Sequence, residues 1–392
     1  MTKGSLARGT LAVLLILLMA TACRVDTAER GGAAGQGAQP VVVAARQVEA
    51  TATPLPSHPT ATALPPTPTP APTPIAEPTA TAAPTATPIN LPVPERTDGM
   101  VEDPADQRTI AGLRARAYEG GKIEIVRTLA SNAQYTSYLI AYPSDGLRVT
   151  GFLNVPQGDG PFPVLLINHG YVGPSSYVAV ASNYAKREGD FFATHGYLTA
   201  GPDYRGHGNS PGAAAGGHLE TAYVVDVLNL LASLKTFPQA DTSRVGVWGH
   251  SMGGSISERV MVVSKDVDAT VIWAGVSGDA VDSWLYLRDW IGRPASDLRA
   301  RFPHPDEQPD LYGRMSARNY LAEVVGPVQI HHGTADGSVP YQHAVTLDRR
   351  LTAVGKAHQF YTYSGAPHNW FGATWETAIG RSLAFFDRHV KG

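Results

Sequence analysis

The sequence predicts an α/β domain over residues 100–392, a doubly wound and mostly parallel sheet with a helical insertion lying over the sheet's carboxyl edge. Three observations lead there. Short unbroken apolar runs recur, such as VLLI at 164–167 and VGVW at 245–248, as expected of strands buried on both faces. Stretches with helical periodicity separate them, and strand–helix alternation is the pattern of a parallel sheet. The only cysteine is Cys23, so no intrachain disulfide can form, and a stable domain must rest on a large apolar core.

The elements follow in order. Residues 108–117 suit a short helix, and 124–127 and 138–142 suit strands. The partial alternation of LRVTGFLNV at 147–155 suits an antiparallel strand, and the PSDG before it supplies the turn. Buried strands are then expected at 164–167, 197–200, 245–248, 269–276, 328–331 and 359–363. Helices are expected at 219–234, 252–263, 341–354 and 375–389. Residues 277–323, with Trp284, Trp290 and several arginines, are too long for an ordinary connection and read as the helical insertion.

The first hundred residues have a different composition. Lys3 and Arg8 precede the apolar run LAVLLILLMA at 11–20, which is too short to span a bilayer comfortably, and Ala20-Thr21-Ala22 offers small residues for cleavage. Residues 1–22 therefore read as an export signal. Small residues before a lone cysteine resemble a bacterial lipobox, which implies a lipidated Cys23 and a protein anchored to the outer face of the cell membrane. Ala20 stands where a lipobox usually has Leu, so cleavage by ordinary signal peptidase and a released protein form the alternative. Residues 23–99 read as a tether. From 51 to 94 the chain alternates Thr, Ala and Pro, which cannot bury enough apolar surface to offset chain entropy. In the extended polyproline form, roughly 40 such residues at about 3.1 Å each hold a domain on the order of 100 Å from a membrane.

A net charge of −3 and a pI near 6.5 give no sign of a nucleic-acid partner. Several thiolates are not available for a metal site, and the histidines lack supporting ligand spacing, so neither metal nor cofactor is expected.

The chemistry is concentrated at the ends of the buried strands. GHSMG at 249–253 follows the strand 245–248 and precedes a helix, the setting in which G-x-S-x-G presents an exposed serine on a strained turn. Ser251 is the expected nucleophile, with the Met252 amide facing a developing oxyanion at the helix N-terminus. A serine hydroxyl needs a base. Asp336, in GTADGSVP after the strand 328–331, and His368, in GAPHN after the strand 359–363, supply acid and base in the order Ser, Asp, His. Asp279 and Asp282 are alternative acids, and His331, His332, His343 and His358 are alternative bases, with His331 and His332 more at home as packing or hydrogen-bonding residues. NHGYVGP at 168–174 lies where the second half of an oxyanion hole forms. Tyr171 would donate through its hydroxyl or its amide, or simply line the pocket. Asp203 and Arg205, in DYRGHGNS, are expected to pair beside the site.

SDGLRVTGFLNVP, NHGYVGP, DYRGHGNS, VGVWGHSMGG, HHGTADGSVP and GAPHNW together resemble the catalytic domain of prolyl oligopeptidase-type serine peptidases (peptidase S9) and related esterases of the dienelactone-hydrolase type. The resemblance covers roughly 250 residues and implies an α/β-hydrolase fold with Ser251, Asp336 and His368 as triad. By the same resemblance, Tyr171 matches a tyrosine whose hydroxyl completes the oxyanion hole, and Met252 the residue that donates its amide. The family's peptidases carry a β-propeller ahead of the catalytic domain. Here a tether and about 40 residues stand in that place, so peptide specificity does not carry over. A small-molecule ester or a short peptide is the expected substrate, because both pass through the same acyl-enzyme. A catalytically silent binding module at the cell surface, and a spacer or wall-interaction protein whose tether matters most, are the remaining alternatives.

Overall fold

The computed structural model describes residues 103–392, so the export signal, Cys23 and the tether expected over 23–99 lie outside the described residues. The described part is built on a nine-stranded sheet. Its first three strands, β1 (Glu124–Ser131), β2 (Tyr135–Ser144) and β3 (Leu147–Pro156), form an antiparallel meander. The rest are β4 (Phe162–Asn168), β5 (Leu198–Pro202), β6 (Ala240–His250), β7 (Ala269–Trp273), β8 (Val328–Gly333) and β9 (His358–Tyr363). The spatial order is β1-β2-β3-β5-β4-β6-β7-β8-β9, with β3 antiparallel to β5 and every pairing from β5 to β9 parallel. All nine strands expected from the sequence are present, and the doubly wound α/β-hydrolase fold follows from this order.

Helices cover both faces. They are α1 (Ile110–Ala115), α2 (Lys186–Thr194), α3 (Ala222–Leu234), α4 (Met252–Val263), α5 (Ala280–Leu285), α6 (Ala295–Arg301), α7 (Pro309–Met315), α8 (Gln342–Ala353) and α9 (Gly372–Phe386). The pleat of β4 shows why its apolar run is unbroken. Val164 and Leu166 enter one core with Leu228 and Leu231 of α3 and Ile256 and Val260 of α4. Leu165 and Ile167 enter the opposite core with Phe192 of α2 and Ile379 and Phe386 of α9. Each such fully buried side chain contributes about 1.5–3 kcal/mol of transfer free energy, which is how a domain without disulfides holds together.

The insertion is helical as expected, with α5, a π-helical turn at Tyr286–Trp290, α6 and α7. It builds its own cluster, Trp284, Leu287, Leu298, Tyr312 and Met315, around Leu219 and Val339, residues of loops outside the insertion. Tyr286 donates its hydroxyl to the Ser338 carbonyl at 3.1 Å, which ties the insertion to the loop carrying Asp336.

The structure departs from expectation in four places. Strand β9, expected to be buried, is the edge strand of the sheet, and none of its residues is fully buried. Strand β7 stops at Trp273 rather than at 276, because Ala274 turns into the left-handed region (φ 44°) and its amide bonds the His331 carbonyl at 2.8 Å. Helix α2 was not foreseen. It opens on the polar run KREGD, and Glu188 and Gly189 share its inward face with Phe192 and Ala193, so few apolar residues mark it as a helix. Finally, Asp203 and Arg205 do not pair. Asp203 accepts from Thr150 (2.6 Å) and Tyr177 (2.7 Å), whereas Arg205 reaches the fully buried Asp226 of α3 at 2.7 Å and Asp145 at 3.0 Å. Asp226 also takes the Arg205 amide at 2.9 Å, so this carboxylate fixes both ends of the arginine and draws it away from its neighbour in sequence.

Candidate active site

Strand β6 ends at His250 and α4 begins at Met252, leaving Ser251 alone on the turn with φ 58° and ψ −124°. A non-glycine residue held there costs on the order of 1–3 kcal/mol unless its surroundings enforce it. They do so on both sides. The Ser251 amide donates to the Trp273 carbonyl at 3.0 Å, and the Ser251 carbonyl accepts from Gly254 (2.9 Å) and Val276 (3.0 Å). The flanking glycines are steric requirements. A Cβ on Gly249 would stand 2.2 Å from the Gly253 carbonyl oxygen, and one on Gly253 would stand 2.0 Å from the Asn168 carbonyl oxygen. The Met252 amide opens α4, where no intrahelical acceptor exists for it, so it is available to an anion.

The loop after β8 carries Asp336. Its Oδ1 accepts the amides of Ser338 and Val339, both at 2.8 Å. Its Oδ2 faces two imidazoles, His368 Nδ1 at 2.8 Å and His332 Nε2 at 3.1 Å. Burial alone would raise the carboxyl's pKa, but the hydrogen bonds from His332 and His368, the charge of His368 and the Val339 amide outweigh it and hold the group well below the usual carboxylate range. An ionised Asp336 fixes the proton of His368 on Nδ1 and leaves Nε2 to face chemistry. Ser251 and His368 line the same cavity of about 500 Å³. Among the described residues Ser251 Oγ takes part in no hydrogen bond, and apo geometry of this kind does not exclude a nucleophile–base pair.

The alternative acids and bases are engaged elsewhere. Asp279 caps α5 and pairs with Arg350 at 3.3 Å, and Asp282 takes the Ser277 hydroxyl at 2.8 Å. His331 bonds Gln329 and Tyr363, His343 accepts the Ser277 amide, and His358 pairs with Asp348. Of these alternatives His332 alone reaches Asp336, as its second imidazole partner at 3.1 Å. Among the described residues, no group of three or more His, Cys, Asp or Glu side chains is placed to hold a metal ion.

A hydrogen-bonded chain joins the three loops of the site. The Gly170 amide donates to Tyr184 Oη (2.7 Å), that hydroxyl donates to His250 Nδ1 (3.0 Å), and His250 Nε2 donates to the His368 carbonyl (3.1 Å). Each group uses its proton once, which assigns a neutral His250, and burial lowers this histidine's pKa to about 3. The Gly170 amide is therefore committed. Neither the amide nor the hydroxyl of Tyr171 is bonded among the described residues, and its side chain is 62 % exposed on the cavity wall, so both sequence-derived roles for Tyr171 stay open. Tyr171 also borders a second cavity of about 190 Å³, which Met252 shares with Leu287, Leu298 and Phe302 of the insertion.

Sequence reasoning missed Tyr184, Arg187, Glu188 and the part played by His250. Only His250 carried a signal, its place inside G-x-S-x-G; Arg187 and Glu188 come from a helix that was itself missed, and Tyr184 from the turn that leads into it.

The prolyl oligopeptidase family profile matches residues 183–392. A Bacillus subtilis protein, the uncharacterized peptidase YtmA, is 26% identical over 241 residues, which cover 59% of this chain and 85% of that protein. Venom dipeptidyl peptidase 4 of Vespula vulgaris is 28% identical over 156 residues, covering 39% of this chain but only 19% of that protein. Among solved structures, acetyl xylan esterase 1 from Thermoanaerobacterium sp. aligns with a TM-score of 0.54 at 19% identity, over 70% of this chain and 93% of the esterase. An acylaminoacyl peptidase aligns with a TM-score of 0.51 at 20% identity, over 69% of this chain and 50% of the peptidase. At such identities the structural likeness speaks for the fold, while the profile match spans more than half of the sequence: the chain belongs to the prolyl oligopeptidase family and is a serine hydrolase of the α/β-hydrolase fold.

Proposed function

We propose that Ser251, His368 and Asp336 act as one catalytic triad, cleaving an ester or peptide bond through an acyl-enzyme. His368 Nε2 takes the proton of Ser251 as Oγ attacks the acyl carbon. The oxyanion so formed is met by the Met252 amide and by Tyr171. Collapse expels the leaving group, which takes the proton from His368, and water repeats the sequence to release the acid. Asp336 holds the imidazole tautomer and stabilises its cation throughout. The observation that supports this reading most directly is the 2.8 Å bond between Asp336 Oδ2 and His368 Nδ1, beside the cavity that Ser251 also lines.

The test is labelling with a fluorophosphonate together with turnover. Wild type should label at Ser251, and Ser251→Ala should neither label nor turn over, with a loss on the order of 10⁶-fold in kcat. Retained turnover in Ser251→Ala would sink the mechanism, and an unlabelled wild type would favour a silent binding module.

Peptidase and esterase remain two readings of one machine, since relatives bearing both names share the fold. A panel of p-nitrophenyl esters set against aminoacyl and dipeptidyl anilides separates them. We further propose that the enzyme works outside the cytoplasmic membrane, held by a lipid on Cys23 at the end of the tether, as the small residues before that cysteine suggest. Detergent partitioning of the wild type, lost in Cys23→Ser, is the expected result.

A further inference from the structure

The cavity that serves Ser251 has a polar group on its wall which the chemistry above does not use. Helix α2 places Arg187 and Glu188 there, among the rings of Trp248, Trp273, Trp370 and Phe371. Glu188 is only 2 % exposed. All three donors it receives converge on one oxygen: Oε1 accepts from Arg187 Nε at 2.9 Å, from Arg187 Nη2 at 2.5 Å and from Trp375 Nε1 at 2.7 Å. Among the described residues Oε2 accepts from none, although a carboxylate oxygen offers two lone pairs. Arg187 is itself pinned, stacked 4.8 Å over Trp375 and 5.2 Å over Phe371, with Nη1 and Nη2 reaching the Trp370 carbonyl at 3.4 and 3.3 Å. The acceptor is therefore held in place by groups that cannot follow a ligand. Oε2 is not sealed in protein but open to the cavity that Glu188 lines, so a ligand hydroxyl that reaches it gains a hydrogen bond to a charged acceptor.

We propose that Glu188 Oε2 is a specificity-determining acceptor for a free hydroxyl of the substrate, and that the enzyme's substrates are O-acylated polyols, with the apolar face of a sugar-like ring against the aromatic walls. The inference rests on the Ser251 reading, because it names the substrate class of that same cavity. Charge decides for a hydroxyl over an ammonium group. The guanidinium already neutralises the carboxylate at contact distance, so the pair attracts a cation weakly but still accepts a neutral O–H. Size agrees, since about 500 Å³ lies within the range of small-molecule sites.

The experiment compares two acetyl esters on the full chain, a monoacetylated pyranoside with free hydroxyls and the acetate of a cyclohexanol of equal ring size with none. Wild type should favour the pyranoside by about 10–100-fold in kcat/KM, as expected of a hydrogen bond to a charged acceptor. Glu188→Ala and Glu188→Gln should bring the ratio close to one. In Glu188→Gln the amide oxygen must serve Arg187 and Trp375, so an NH₂ group faces the cavity in place of the acceptor. That variant also keeps the buried contacts if Glu188→Ala does not fold. Equal rates for the two esters in a wild type that labels with fluorophosphonate overturn this inference alone. So does a preference that persists in a labelled Glu188→Gln, or a rate on aminoacyl anilides above that on both esters. A wild type that does not label defeats the Ser251 reading, and this one with it.

Discussion

Two buried carboxylates serve one cavity, Glu188 on its wall and Asp336 behind the His368 that lines it, and their surroundings drive them in opposite directions. Asp336, on the loop after β8, receives two amides on one oxygen and two imidazoles on the other, and its pKa falls despite burial. Glu188, on α2, receives three donors on a single oxygen. Burial raises its pKa, against the opposing pull of Arg187 and Trp375. Depth does not separate them, since Asp336 is 9 % and Glu188 2 % exposed. The number and placement of donors does. A carboxylate satisfied on both oxygens is a fixed charge suited to orienting a base, and one satisfied on a single oxygen keeps an acceptor in hand for a ligand.

The sharpest test of the Asp336 half is Asp336→Asn. The amide would present a donor or a neutral acceptor to His368 and disturb its tautomer, so kcat should fall about 10⁴-fold with the fold retained, read by steady-state kinetics on an activated ester. A loss under tenfold would mean that His332, or another group, orients His368 instead.

Next in size is the oxyanion. Tyr171→Phe should slow turnover about 10²–10³-fold, or about 2.7–4 kcal/mol of barrier, if the hydroxyl donates. An unaltered kcat would assign the donation to the Tyr171 amide. The other tyrosine of the cavity offers the contrast: Tyr184 spends its hydroxyl on His250 while receiving the Gly170 amide. Tyr184→Phe should therefore cost about 1 kcal/mol of folding stability for the lost hydrogen bonds and only about tenfold in kcat, seen by urea titration and kinetics together.

The smallest effect is in pH dependence, and there the two carboxylates should show opposite signs. Asp336 has a folded pKa below its ordinary 3.8, so its stabilisation is present above that value and is lost as pH falls through the folded one. The gap in urea midpoint between wild type and Asp336→Asn should therefore narrow from pH 6 to pH 3. Glu188 has a folded pKa above its ordinary 4.5, so the native state holds its proton longer and stability declines as pH climbs between the two values. Glu188→Gln should accordingly gain on wild type as pH rises from 4 toward neutrality. Gaps that move in parallel would break the comparison.

The two halves also differ in how far they could be read beforehand. Ser251, Asp336 and His368 each follow a segment that reads as a strand, and each sits in a short glycine-bearing loop, so position and chemistry were both visible locally. Glu188 stands in KREGD, which by composition belongs on a solvated helix face. It is buried because Trp375 and Trp370, more than 180 residues away in sequence, close over it and over Arg187. The mistaken pairing of Asp203 with Arg205 has the same origin, since Asp226 wins the arginine from another element.

The sequence by itself determined the run of strands, most of the helices between them and the strained serine turn, because periodicity and turn chemistry act over a few residues. Only the tertiary structure decided which charges are buried, which oxygen of each carboxylate is satisfied, and that Ser251 and His368 line one cavity. Those outcomes depend on contacts between segments far apart in the chain, where the cost of desolvating a charge is met or left unmet by whatever donor another element brings.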